Sequence, residues 1–198
     1  MDSDEKENTI EIWKKIIEVQ MHFNDIEMRI RSIFITLVLA LCASVGFLTD
    51  KKPAVTIGSL TVFFVTFVPL LGVVATYLFY FIDRHWYHRL LVGAVKHAID
   101  IEKKNAATIP DLALSEAIGR ESPVPVRNCL IRAVATLVVS DERYRKDHVF
   151  HSDAKIEFFY KSIVLLFVLI FFAVLLFGGV LVDGMPIIHF VKSAVCSL

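Results

Sequence analysis

Two stretches of this chain gather side chains that could do chemistry. In "YFIDRHWYHRLL", residues 80–91, Asp83, Arg84, His85, His88 and Arg89 surround Trp86 and Tyr87. His85 and His88 stand three apart, so a helix would make them neighbours. Paired imidazoles can bind zinc or change charge near neutral pH. Zinc needs at least one more ligand, which Asp83 or a His from elsewhere would have to supply. The second stretch, "DHVFHSD", puts Asp147, His148, His151 and Asp153 within residues 147–153. It too could hold a metal or sense pH, but the spacing is irregular, and a solvated turn carrying a helix cap fits it better. The sequence contains no GxSxG, GxxxxGK[ST], HExxH or GxGxxG. The chain reads as a non-enzyme with no cofactor and no metal.

What positions these residues is set by hydrophobicity. Of 198 residues, 56% are hydrophobic, and the formal net charge is zero. Mean hydropathy is +0.61, above that of ordinary soluble domains. Residues 83–161 hold 13 Lys/Arg against 11 Asp/Glu, too even a balance for a nucleic-acid surface. Cys42, Cys129 and Cys196 lie far apart, with no disulfide or CxxC pattern. The acidic start "MDSDEKEN" does not lead at once into an apolar run, so no cleavable signal is expected there.

Three stretches have the length and composition of membrane spans: 32–49, 54–82 and 162–182. The expected organisation is an all-α integral membrane protein. It has a cytoplasmic helix over 1–31, a helical cytoplasmic domain over 83–161 and a short outer tail over 183–198. The N-terminal segment and residues 83–161 share one side and carry 18 Lys/Arg, against Lys51, Lys52 and Lys192 on the other. The positive-inside rule then places the N-terminus in the cytoplasm and the C-terminus outside. The tail is apolar, and Cys196, third from the end, does not fit a prenylation signal. On this reading the 80–91 stretch marks where the second helix leaves the bilayer. Tyr80, Trp86 and Tyr87 lie at headgroup level, Arg84 and Arg89 reach lipid phosphates, and Asp83 to Arg89 form an interfacial belt.

Residues 9–31 carry an uninterrupted heptad seam of Ile12, Ile16, Val19, Phe23, Ile26 and Ile30. Ile10, Trp13, Ile17, Met21 and Met28 make a second apolar stripe. A helix with two apolar faces needs two partners. One would be the chain's own cytoplasmic domain and the other a neighbouring subunit; a membrane-surface helix would show only one such face. In the second span, Ser59, Thr66, Pro69, Gly72 and Thr76 form a small and polar face that continues to Asp83. It either packs against the first span or lines a pore when copies assemble, with Pro69 as a bend for a gate. Ala40, Ala43, Ser44 and Gly46 let helices approach closely in the first span, and the third faces lipid. Farther along, "TIPDLALSEAIG" predicts a helix started near Pro110 and stopped by Gly119. One helix is expected from about Pro125 to Lys146, and Ser152 or Asp153 caps the helix entering span three.

The phrases "RIRSIF", "DRHWYHRLLVGAVKHAIDIE", "LSEAIGRESPVPV" and "HSDAKIEFFYKSI", over most of residues 27–165, resemble small bacterial anti-phage membrane effectors. These are the retron-associated membrane effectors, the two-span SLATT proteins and the RipA-like octameric membrane proteins. A third span and the outer tail depart from the plain SLATT layout. The resemblance implies a homo-oligomer, an octamer if the last group is the guide. It would permeabilise the inner membrane of an infected cell when a cytoplasmic sensor or phage-derived trigger releases it (abortive infection). The other reading is a membrane-anchored scaffold whose helices recruit a cytoplasmic partner.

Overall fold

The computed structural model describes residues 3–182 and 184–186. The chain is mostly helical, and three helices, Ser3–Lys51, Phe64–Asn105 and Ser152–Leu176, are long and apolar enough to cross a membrane. It divides into two compact units. Of the described residues, one unit joins 3–32 with Phe79–Phe159, and the other joins Ile33–Leu78 with 160–182 and 184–186.

The second unit contains the apolar part of α1 (Ser3–Lys51), β1 (Ala54–Ile57), β2 (Leu60–Phe63), and α2 (Phe67–Tyr80) as far as Leu78. The expected helix over 54–82 therefore starts thirteen residues late, at Phe67 after a 3₁₀ turn at Phe64–Thr66. Residues 54–63 are instead an antiparallel hairpin in which Ile57 faces Leu60 across a Gly58-Ser59 turn. Gly58 sits at φ +62, a left-handed conformation that glycine adopts at little cost. The flanking Val55-Thr56 and Thr61-Val62 are β-branched, and the Thr56 and Thr61 hydroxyls meet at 3.0 Å. Ser59 thus lies in a turn, off the helical face on which the sequence pattern placed it.

The third span is also shorter than expected. Within α7 (Ser152–Leu176) the helix stops before Gly178, which adopts φ +99, and the Gly179 N–H reaches back to the Val174 carbonyl at 2.7 Å. The chain then forms the last elements in sequence, β5 (Val180–Val182) and β6 (Met185–Pro186), which extend the hairpin into a four-stranded sheet of order β1-β2-β5-β6. The fold is accordingly not purely α. Except for 184–186, the expected outer tail, with Lys192 and Cys196, falls outside the described residues.

In the first unit a π-helical turn, Phe81–Tyr87, follows α2 and leads into α3 (His88–Asn105). The later elements are α4 (Leu114–Glu121), β3 (Val124–Pro125), α5 (Cys129–Val138), α6 (Glu142–Asp147) and β4 (Val149–Phe150). The single helix expected from Pro125 to Lys146 is broken into α5 and α6, each with its own cap. The Asn128 side chain accepts from the Leu130 and Ile131 amides, and Asp141 accepts from Arg143. Val126, Ala135, Val139, Tyr144, Phe150 and Ala154 form the small core of this part. Gly119 lies inside α4 and does not stop it, and α4 starts at Leu114, four residues after Pro110.

Candidate functional site

The 80–91 stretch leaves the ordinary α-helical ladder. The His88 N–H bonds to the Asp83 carbonyl, five residues back, as in a π-helix. Such turns are uncommon and concentrate at functional sites. The wider turn separates the two histidines that α-helical spacing would pair. The His85 ring lies against Tyr80 and Phe81, with centroids 5.9 and 5.6 Å away. His88 is buried and faces Glu27, its Nδ1 3.2 Å from Oε1. A carboxylate can only accept, so Nδ1 carries the proton of that bond.

Glu27 belongs to a buried chain of charges. The Arg31 guanidinium grips the fully buried Asp83 through Nε at 2.7 Å and Nη2 at 3.2 Å. The same Nη2 donates to Glu27 at 2.8 Å. Beyond His88 stands Asp153, whose Oδ1 is 3.8 Å from Nε2, too far for a hydrogen bond, and whose other oxygen is 3.5 Å from Arg143. Arg84 donates to the Tyr80 hydroxyl and pairs with buried Glu157 at 3.5 Å. Glu157 also accepts from the Ser140 amide at 3.1 Å. Within this unit, then, charged pairs join three helical segments at positions next to their apolar stretches. Arg31 directly precedes the first stretch, Asp83 follows the second, and Glu157 precedes the third.

The belt expected at 83–89 is therefore divided. Trp86 is exposed and stacks on Tyr87, while His85 and Arg89 are exposed and Arg84 is half-buried. Asp83 and His88 belong to the interior instead. In "DHVFHSD", His148 closes α6 at φ +52 with its ring edge-on to Tyr144, and Asp153 joins the ionic chain. Among the described residues no three His, Cys, Asp or Glu side chains are grouped as metal ligands.

The α1 seam is only partly covered. Ile16, Phe23, Ile26 and Ile30 are half-buried, but Ile12 and Val19 remain 48% and 40% exposed. The second stripe divides: the Trp13 indole donates to Glu102 at 3.0 Å, whereas Met21 and Met28 face outward.

Glu102 also accepts from the Ser115 and Glu116 amides at 2.8 and 3.0 Å, so a carboxylate of α3 caps α4. Burial opposes its charge, but the Ser115 amide, the Trp13 indole and the Glu116 amide outweigh that and hold its pKa below the usual 4.5. A depressed folded value stabilises the protein above the unfolded pKa, and this contribution is lost as pH falls through the folded one. Glu102→Ala should remove that acid sensitivity and speed hydrogen exchange at the Ser115 and Glu116 amides. Unchanged exchange would show that the cap contributes nothing.

On the α2 face, Thr66, Pro69, Gly72 and Thr76 are all buried inside the second unit. The Thr66 hydroxyl donates to the Gly179 carbonyl at 2.9 Å and the Thr76 hydroxyl to Gly72 at 2.7 Å. A Cβ on Gly72 would lie 2.6 Å from the Phe167 ring of α7. At Gly72 this face meets α7, with Phe167 fully buried and not turned to lipid. Ala40, Ala43 and Gly46 of α1 are exposed, and a Cβ on Gly46 would meet nothing.

Composition alone gave no sign of Glu27, Glu102 and Glu157. The legible clue was Glu27 and Arg31 four apart on an otherwise apolar helix face. No protein-family model, characterised protein or solved structure matches the chain.

Proposed function

We propose that this chain is a homo-oligomeric membrane effector that forms or gates a path through the bacterial inner membrane. Its N-terminus would be cytoplasmic and its C-terminus outside. The observation that carries the reading is the buried chain Asp83–Arg31–Glu27–His88, with Arg84–Glu157 beside it. Ion pairs placed next to the apolar stretch of each long helix make a costly, all-or-none junction, the kind of element that can hold two discrete arrangements. A trigger acting on α3–α6 would shift the spans by remaking those pairs.

Self-assembly is supported by apolar side chains left outward on α1. Ile12, Val19, Met21 and Met28 lie before its apolar stretch, and Leu39 and Phe47 lie within it beside the small residues Ala40, Ala43 and Gly46. Together with the resemblance to anti-phage effectors, this favours a lethal or growth-arresting role in infected cells, released by a cytoplasmic sensor or a phage-derived trigger. A second reading, a membrane-anchored scaffold, draws on α5. Leu130 and Leu137, seven apart on one face, are 73% and 71% exposed and suit a protein partner.

The test is the mass of the purified complex in detergent together with dye release from liposomes. The expected result is a multiple of the 22.4 kDa chain that releases dye. A monomer that releases none overturns the proposal, and an assembly that releases none favours the scaffold.

A further inference from the structure

Several hydrogen-bond donors of the first unit line one cleft. A cleft of about 460 Å³ runs along α3 and the preceding π-turn, and Arg84, His85, His88, Arg89, Lys96 and Asp153 line it. His85, Arg89, Gly93 and Lys96 follow one another at steps of 4, 4 and 3, so they share one helical face. Three cations face a single carboxylate, and Arg143 already pairs with that carboxylate at 3.5 Å.

The donors differ in what they have left to give. Arg84 is engaged by Tyr80 and Glu157. Arg89 and Lys96 make no hydrogen bond or ion pair among the described residues. The Nε2 of His88 is buried on the cleft wall with no hydrogen-bond partner there. An orphaned buried ring nitrogen is costly, and like charges lining one cleft repel one another. Both penalties disappear if an anion occupies the cleft. Gly93 gives independent support. Mid-helix glycine is less favourable than alanine, yet a Cβ here would meet no atom within 4 Å, so packing does not require it. What the glycine provides is room at the cleft floor.

We infer that this cleft binds a phosphate group. Arg89 would grip two phosphate oxygens, Lys96 would act as a point charge, and His88, as the doubly protonated imidazolium, would donate from Nε2 while Nδ1 keeps its bond to Glu27. The volume falls within the range of small-molecule sites, so it admits a phosphate with a polar substituent. Two sources offer that chemistry: the headgroup of an anionic phospholipid, or a free phosphorylated solute. Exposed Phe81 and Trp86 in the adjoining turn favour the lipid.

The experiment uses the full chain in nanodiscs of phosphatidylcholine alone or with phosphatidylglycerol. Lipid retained after transfer to detergent is measured by native mass spectrometry, and inorganic phosphate is titrated by ³¹P line broadening. The variants are the double Arg89→Ala/Lys96→Ala and the single Gly93→Leu. The first removes side chains that have no hydrogen-bond or ionic partner among the described residues, and the second raises helix propensity while filling the cleft. Thermal unfolding confirms that each folds. Phosphatidylglycerol retention falling at least tenfold in both variants, with little effect of inorganic phosphate, assigns a lipid headgroup. Phosphate broadening in the wild type that both variants lose assigns a free phosphate. Wild type and folded variants that behave alike toward both probes overturn the site.

Discussion

Asp83→Ala should destabilise the protein by about 3–5 kcal/mol, the usual result of breaking one side of a buried ion pair. Asp83 is fully buried and takes two bonds from Arg31, so its removal leaves the guanidinium with Glu27 as its acidic partner. Because Arg31 keeps that bond and is itself about a quarter exposed, the lower end of the range is the more realistic value. The double variant Arg31→Met/Asp83→Leu removes both charges and should recover part of the loss, since an apolar pair of similar size needs no desolvation, while buried Glu27 loses its guanidinium and keeps His88. It should not recover regulated opening if the ion pairs form the switch. Chemical unfolding in detergent, followed by circular dichroism, reads the first effect, and dye release reads the second. An Asp83→Ala protein as stable as the wild type would remove the ionic chain from both roles. A double variant that is stable and opens normally would keep it as a structural feature only.

Some of this site could be read in advance because local spacing fixes it, and some could not because it depends on distant contacts. Three helices able to cross a membrane follow from uninterrupted apolar length, which no tertiary contact has to supply. Hydropathy, however, does not distinguish an apolar helix from an apolar strand. The β1–β2 hairpin was hidden inside the second apolar run, although Gly58-Ser59 between "AVTI" and "LTVF" carries a hairpin signal. The small face of α2 was legible as a contact surface, but its partner was not, because Phe167 lies in another part of the chain. The π-turn changed the most. The i, i+3 argument for His85 and His88 assumes an α-helix, and one wider turn sends the first to Tyr80 and the second to Glu27. The pairs Arg31–Asp83 and Trp13–Glu102, 52 and 89 residues apart, have no local signature at all.

Gly72→Leu should strongly destabilise the second unit, and it separates two meanings of the α2 face. In lipid, helix association rests on close packing and not on expelling water, so small residues matter where backbones approach. A Cβ at position 72 would stand 2.6 Å from Cε1 of Phe167, whose ring is fully buried. Overpacking of this kind costs about 1–3 kcal/mol for a methylene or two, and the four extra carbons of leucine against a buried ring should reach or pass the upper value. Phe167→Ala leaves a cavity of its own, but the double variant Gly72→Leu/Phe167→Ala should be more stable than either single one, because leucine occupies the space the ring vacates. That non-additivity is the signature of a packed contact. A face that lines a water-filled path behaves differently. There, Gly72→Leu would stop dye release while thermal unfolding stayed at the wild-type temperature, and removing Phe167 would rescue nothing. The hydroxyls of Thr66 and Thr76, already spent on backbone carbonyls, weigh toward packing. A path formed by an assembly of this chain would then have to use other helix faces, and the outward residues of α1 around Ala40, Ala43 and Gly46 offer one of them.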